Sequence, residues 1–204
     1  MNPPLHGVRV LDLTAWQAGP LATMILGDFG AEVIKIEAPQ RLDGWRGSAG
    51  LHADRMYERS PIWNAINRSK LGISLDLAAA QGRELFLRLV AEADVVIENF
   101  TPRVMEQLGL GFDTLRAANP RIVMASLSGF GRSGPWRDYA AFAFPTEEVS
   151  GMAFLNGERD GPPVLIGASV TDAMVAAMGA FAVVAALERR DATGAGDDID
   201  LSQI

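Results

Sequence analysis

The first 37 residues constrain the fold more than any other part of the chain. Residues 8–14 (VRVLDLT) are a short apolar run of strand character, residues 18–29 (AGPLATMILGDF) place Leu21, Met24, Ile25 and Leu26 at helical spacing, and residues 31–37 (AEVIKIE) run apolar again. Pro20 near the helix start and Gly30 just past its end supply the usual helix punctuation. A strand, a helix and a second strand in this order form a crossover unit, which requires parallel strands and a right-handed connection. The expected class is α/β, a mostly parallel sheet flanked by helices.

The rest of the chain continues the alternation. Strands are expected at 72–77, 94–100, 121–127 and 198–202, and helices at 78–93, 102–108, 113–118 and 172–189, with a polar Gly- and Arg-rich loop over 38–60. In the helix at 78–93, Leu85, Phe86, Leu89 and Val90 form the apolar face, and Glu84 and Arg88 pair four residues apart on the other. After Ser128 the sequence turns to glycines and small residues.

At 204 residues, 49% of them hydrophobic and 21% charged, the chain fits one globular domain with a substantial core. Without cysteine there is no disulfide, thiolate zinc site or cysteine nucleophile, and residues 1–6 (MNPPLH) lack the features of a signal peptide, so the cytoplasm is the simplest expected location. The longest apolar run, Ala173 to Leu187, falls short of the roughly 20 residues of a membrane span and reads as a buried helix. A net charge of −7 argues against nucleic acid as a partner. Any anionic ligand must then be held locally. Arg41, Arg46, Arg55, Arg59, Arg68 and Lys70 crowd residues 41–70 against only Asp43, Asp54 and Glu58, and the arginine fork suits phosphate. A solvated loop is the plainer account of the same cluster.

Three local patterns bear on chemistry. Gly129-Phe-Gly131-Arg-Ser-Gly134 follows a strand, but Pro135 comes next and no helix opens there, so a glycine-permitted turn is expected rather than a dinucleotide site. His6 and His52 are the only histidines and lie in a terminal segment and a polar loop, which leaves catalysis to carboxylates, amides, hydroxyls or arginines. Asp172 stands between Gly-Ala-Ser-Val-Thr and an all-apolar helix. Taken alone it reads as an N-cap; at a helix start it is also oriented to serve as a carboxylate nucleophile.

Beyond single motifs, blocks of sequence recur in a known order. Residues 4–14 (PLHGVRVLDLT), Gln17-Ala18-Gly19-Pro20, residues 26–37 (LGDFGAEVIKIE), Asn67-Arg68-Ser69-Lys70 before Ser74-Leu75-Asp76-Leu77, residues 93–100 (ADVVIENF), Asn119-Pro120-Arg121, Ser128-Gly129-Phe130-Gly131 with Gly134-Pro135, and Thr193-Gly194 with Gly196 resemble the class III CoA-transferases, the family of formyl-CoA and carnitine CoA-transferases. The resemblance implies a Rossmann-like large domain over residues 1–204, ending where members of that family pass into a smaller second domain. It also implies transfer of CoA from an acyl-CoA to a free carboxylic acid without metal or redox cofactor, CoA being a substrate.

The resemblance places Asp172 as nucleophile, through an aspartyl anhydride and an aspartyl-CoA thioester, and Gln17 beside the reacting carbonyl. It assigns CoA binding to Arg46, Arg68, Lys70, Leu75, Asn99, Phe100 and Arg103. Two departures stand out: Ala38 follows Glu37 where formyl-CoA transferases carry arginine, and Arg103 is displaced by two positions from the arginine of many relatives. The same family includes α-methylacyl-CoA racemases, but their histidine position falls near Phe142. A non-catalytic CoA-binding half-subunit is the third reading. An interlocked homodimer, or a second chain completing the fold, is the expected assembly.

Overall fold

The computed structural model describes residues 2–49 and 56–204. Six strands, β1 (Arg9–Asp12), β2 (Glu32–Glu37), β3 (Lys70–Ser74), β4 (Val95–Glu98), β5 (Val123–Ser128) and β6 (Asp197–Ser202), form one sheet in the order β3-β2-β1-β4-β5-β6. Every pairing is parallel, so the expected mostly parallel, Rossmann-like sheet is entirely parallel. The order reverses between β1 and β4, and at such a switch point the loops after the two strands leave in opposite directions and open a crevice.

Eight α-helices, α1 (Ala18–Asp28), α2 (Pro61–Ile66), α3 (Ala80–Val90), α4 (Arg103–Gln107), α5 (Phe112–Ala118), α6 (Ala143–Val149), α7 (Met152–Leu155) and α8 (Val170–Thr193), and two short 3-10 helices, Gly44–Ala49 and Met56–Glu58, complete the described architecture. Successive strand residues point to opposite faces, and two cores result. Val10, Val33, Val95, Ile97 and Val123 meet α1 and α8 on one side; Leu11, Ile36, Val96 and Met124 meet α3, α4 and α5 on the other. The inner face of α8 is small, with Ala176, Gly179 and Ala180 buried, and a Cβ on Gly179 would lie 3.0 Å from Leu127 Cδ2. By length and composition α8 is apolar enough to cross a membrane, but its Val175, Val183 and Leu187 side chains are committed to the core. At its far end Gly194 takes a left-handed φ of 79° and donates to the Arg190 carbonyl at 2.7 Å, as helix ends favour. Arg190 in turn binds Asp94 at the head of β4, at 2.7 Å.

Three expectations need adjustment. The strand expected at 72–77 occupies Lys70–Ser74, because Asp76 turns the chain by accepting from the Ala78 N–H at 2.9 Å. Pro61–Ile66 is a helix, just past the expected loop, where no element is expected; it is started by Ser60, whose hydroxyl accepts from the Trp63 N–H. The last helix begins at Val170, not Asp172, and runs to Thr193. His52, Asp54 and Arg55 lie outside the described residues.

Gly82 shows how tightly α3 closes on the turn after β3. A Cβ built there would stand 1.8 Å from the Asp76 carbonyl oxygen, a backbone atom without freedom to yield. Gly82→Ala is expected to lower stability by about 1–3 kcal/mol, read as a lower urea midpoint. Gly72→Ala, where nothing lies within 4 Å, should leave the midpoint within about 0.5 kcal/mol of wild type.

Candidate active site

A cavity of about 820 Å³ opens at the carboxyl edge of the sheet. Residues following all six strands reach its wall, among them Gln17 after β1, Arg41 after β2, Leu75 after β3, Asn99 after β4, Gly129 after β5 and Gln203 after β6. Asp172, from the first turn of α8, faces the same space. This is where open parallel sheets take their ligands.

Beneath the cavity floor lies a buried ionic cluster. Asp12 ends β1 with no exposed surface; its Oδ1 accepts from the Thr14 N–H at 2.9 Å and the Thr14 hydroxyl at 2.5 Å, and its Oδ2 from the Thr23 hydroxyl at 2.7 Å and Lys70 Nζ at 3.0 Å. Lys35 Nζ donates to the Thr14 carbonyl at 2.6 Å and stands 3.9 Å from Asp12 and 3.6 Å from Asp43. Burial drives the Asp12 carboxyl upward, but Lys35, Lys70 and the two threonine hydroxyls outweigh it and hold the group down at about 2. Burial lowers Lys70 to about 8, against the pull of Asp12.

The cluster shapes the turn that carries Gln17. Asp43 Oδ1 accepts from the Trp16 N–H at 3.3 Å and the Trp45 N–H at 2.9 Å, and Asn99 clasps Ala15 through two hydrogen bonds of 2.8 Å. Trp16 sits in the left-handed region, φ 64°, a conformation a bulky side chain adopts only under constraint. Its ring meets Trp45 and Phe142 edge-on at 5.8 Å each. A Cβ on Gly44 would come within 2.2 Å of the Trp16 ring.

Asp172 is not the N-cap of α8. Ser169 holds that position, with Ala168 and Ser169 both at left-handed φ, 53° and 54°, and Asp172 is the third helical residue. Its carboxylate accepts one hydrogen bond, from Gln203 Nε2 to Oδ1 at 2.9 Å. No cation pairs with it among the described residues. Burial raises its pKa, and the Gln203 bond opposes that shift in part.

The residues singled out from sequence fall into two groups. Asp172, Gln17, Leu75, Asn99 and Phe100 share the cavity; Arg46, Arg68, Lys70 and Arg103 are not on its wall. Arg46 is bidentate to Glu37, with Nε to Oε1 at 2.8 Å and Nη2 to Oε2 at 2.5 Å, and lies over the Trp63 ring at 3.5 Å. Lys70 gives its three donors to Asp12, the Pro20 carbonyl and Asn67. Arg68 pairs with Asp28 and Arg103 with Asp138, both exposed. The glycines at 129–134 form a turn, with Gly131 and Gly134 at left-handed φ and no helix opening at Pro135. Sequence reasoning missed Gln203 and Asp43 as cavity residues, and it named Arg41 only as one cation of the 41–70 cluster. Only Lys35, a charge amid an apolar strand, signalled the cluster below.

A doubly wound parallel sheet with an acidic, amide-lined cavity at its carboxyl edge defines a ligand-binding α/β domain. The profile of CoA-transferase family III matches residues 5–204, and the chain belongs to that family. It is 41% identical over 198 residues to succinyl-CoA–D-citramalate CoA-transferase of Chloroflexus aurantiacus, covering 97% of this chain and 48% of that protein. Against formyl-CoA:oxalate CoA-transferase of Streptomyces avermitilis the identity is 36%, covering 99% and 48%. The crystal structure of a CAIB/BAIF family protein from Brucella suis superposes with a TM-score of 0.92 at 39% identity, over all of this chain and 54% of that one. The chain spans about half the length of these curated relatives.

Asp12→Asn leaves two buried ammonium groups facing one carboxylate and is expected to cost about 3–5 kcal/mol of stability, as breaking a buried pair does; Asp12→Asn with Lys70→Met should recover much of that. In the wild type the folded Asp12 carboxyl binds its proton at about 2 and the unfolded one at 3.8. The group's contribution, about 2 kcal/mol, is therefore complete above about pH 4 and is lost as pH falls toward 2. Urea unfolding across pH 2–6 checks both statements, and Asp12→Asn should lack that part of the acid loss.

Proposed function

We propose that the chain is the large domain of a CoA-transferase that moves CoA between an acyl-CoA thioester and a free carboxylic acid, with Asp172 as its covalent residue. The observation that carries this reading is the setting of Asp172, a half-buried carboxylate that, among the described residues, has a single hydrogen bond and no cation against it, facing a cavity among loops of the sheet's carboxyl edge. Burial raises its basicity, and with it the nucleophilicity of its free oxygen.

The reaction follows from that oxygen. Asp172 Oδ2 attacks the acyl carbon, the C–S bond breaks, and CoA leaves as thiolate from a mixed anhydride. The thiolate then attacks the aspartyl carbonyl carbon, the bond to Oδ2 breaks, and the first acid departs with that oxygen, leaving an aspartyl-CoA thioester. The second acid repeats both steps in reverse and regains the thioester. Dividing the exchange in this way conserves energy that hydrolysis would dissipate. Gln17, on the same cavity wall, supplies an amide N–H to the acyl oxygen as its charge develops.

CoA is held, in this reading, by Leu75, Asn99 and Phe100 on the cavity wall and by Arg46, Arg68, Lys70 and Arg103 around it. Arg41 is the one cation on the cavity wall among the described residues and adds a site for an anionic group. Relatives named for succinyl-CoA, D-citramalate and glutarate support short-chain dicarboxylic acids as the substrate class. No metal or redox step enters. Exposed Met174, Met178 and Phe181 on the outer face of α8, 51%, 54% and 75% accessible, support an assembly that covers them, an interlocked homodimer or a second chain. Related succinyl-CoA–L-malate transferases are named as alpha and beta subunits. A cytoplasmic location fits these soluble substrates.

Asp172→Ala should abolish transfer in the full-length protein while changing the melting temperature by less than about 2 °C, since the side chain caps nothing. Hydroxylamine added with acyl-CoA should modify Asp172 and no other carboxylate, as peptide mass spectrometry would show; turnover in Asp172→Ala would overturn the assignment. Arg68→Ala with Arg103→Ala is expected to weaken CoA binding and flatten its salt dependence, measured by calorimetry at two ionic strengths. Stability should hardly change, because both pairs are exposed.

A further inference from the structure

The two oxygens of Asp172 are not equivalent. Oδ1 receives the Gln203 amide at 2.9 Å, whereas Oδ2 has no hydrogen-bond partner among the described residues. Gln203 is itself well fixed: its backbone N–H, just past β6, donates to the Ser128 and Gly129 carbonyls at 3.0 and 3.2 Å. Among the described residues the Gln203 side-chain oxygen is buried without a partner, and its Nε2 donates to Asp172 alone. Both side chains line the cavity.

We propose that Gln203 is a catalytic residue of the second step, its amide N–H stabilising the charge that develops on Asp172 Oδ1 when the CoA thiolate attacks the aspartyl carbonyl. This rests on the reading of Asp172 as the covalent residue. In the first step Oδ2 forms the new C–O bond and Oδ1 becomes the aspartyl carbonyl oxygen. When the thiolate adds to that carbon, the C–S bond forms and the π electron pair moves onto Oδ1, where the Gln203 donor already stands. Collapse returns the pair and expels the carboxylate that carries Oδ2. A donor placed before charge appears needs no reorganisation at the moment of reaction. Before the first step the same bond fixes the carboxylate rotamer and directs Oδ2 at the acyl group.

The test uses the full-length enzyme with Gln203→Leu and the isosteric Gln203→Glu. Gln203→Leu is expected to lower kcat by about 10²–10³-fold, the cost of removing one such donor, with the KM for acyl-CoA little changed. Mixing with acyl-CoA should still release thiol, while the aspartyl-CoA adduct seen by intact-protein mass spectrometry forms more slowly by the same factor. The acid limb of kcat/KM should move to higher pH, because the ionised Asp172 loses its donor. The other charged groups on the cavity wall are Glu37, Arg41, Asp43 and Asp76, with Glu147 buried in α6 beside the first turn of α8, and none of these changes in either variant.

Gln203→Glu keeps the volume but puts an acceptor against Oδ1 at neutral pH, so it should be as slow as Gln203→Leu there and regain rate as pH falls and the new carboxyl becomes a donor. A role in packing alone predicts the opposite, a functional Gln203→Glu with an unmoved profile. Wild-type rates of adduct formation in both variants, with Asp172→Ala inactive, would overturn the role of Gln203 and leave Asp172 in place. Activity in Asp172→Ala would overturn the underlying reading instead.

Discussion

The buried cluster of Asp12, Lys35, Asp43 and Lys70 is the interaction on which the rest of the structure depends. The chain has only two lysines, and both are in it. Two carboxylates and two ammonium groups are removed from water together, a transfer that is costly for any member alone and tolerable because the charges balance and the threonine and asparagine groups add hydrogen bonds to Asp12 and Lys70. The members come from the end of β1, the interior of β2, the loop after β2 and the first residue of β3, so the cluster ties three strands and one loop together. Hydrophobic burial alone would hold these strands together without fixing how the loops leave them.

That distinction separates two kinds of carboxylate within one cavity region. Asp12 is fully buried and held at about 2 by two cations and two threonine hydroxyls; it is charged at neutral pH, and both oxygens are committed to donors. Asp172 has one donor, no cation and a raised pKa. An ion pair would lower the energy of such a carboxylate and make it a weaker nucleophile; Lys35 and Lys70 pair instead with Asp12 and Asp43. The strained Trp16, Ala168 and Ser169 flank Gln17 and Asp172, and backbone strain of about 1–3 kcal/mol per residue persists only where the surroundings enforce it. Here the surroundings are the Asp43 clamp and the closely packed α1 and α8.

The parallel sheet was legible from the first 37 residues, because helical and strand periodicities alternate there without ambiguity and only one handedness closes the unit. Leu75 and Leu77 continued an apolar alternation past the true end of β3, where the Asp76 turn overrode it. Pro61–Ile66 was hidden because it buries no side chain, and a helix without a buried face has no periodic signal. Asp172 was marked by its position before an apolar helix, but its partner Gln203 is 31 residues away and meets it only because α8 and β6 converge at the cavity. Pairings set by tertiary convergence leave no local trace.

The arginines show the same limit, and they also rank themselves. The family resemblance grouped Arg46, Arg68, Lys70 and Arg103 as CoA-binding cations, yet their settings differ in what a phosphate would have to displace. Arg68 and Arg103 hold exposed carboxylate partners, Asp28 and Asp138, and such pairs contribute at most about 1 kcal/mol, so an incoming phosphate exchanges weak contacts for stronger ones. Arg46 is forked onto a half-buried Glu37 and stacked on Trp63, and releasing it would strand that carboxylate. Lys70 is further from exchange still, since freeing it would leave Asp12 uncompensated in the interior. On the proposed reading, a phosphate that leaves the cavity floor undisturbed would be engaged most readily by the exposed Arg68 and Arg103 and by Arg41, and Arg46 and Lys70, held by Glu37 and Asp12, are the costlier members of the proposed CoA-binding set.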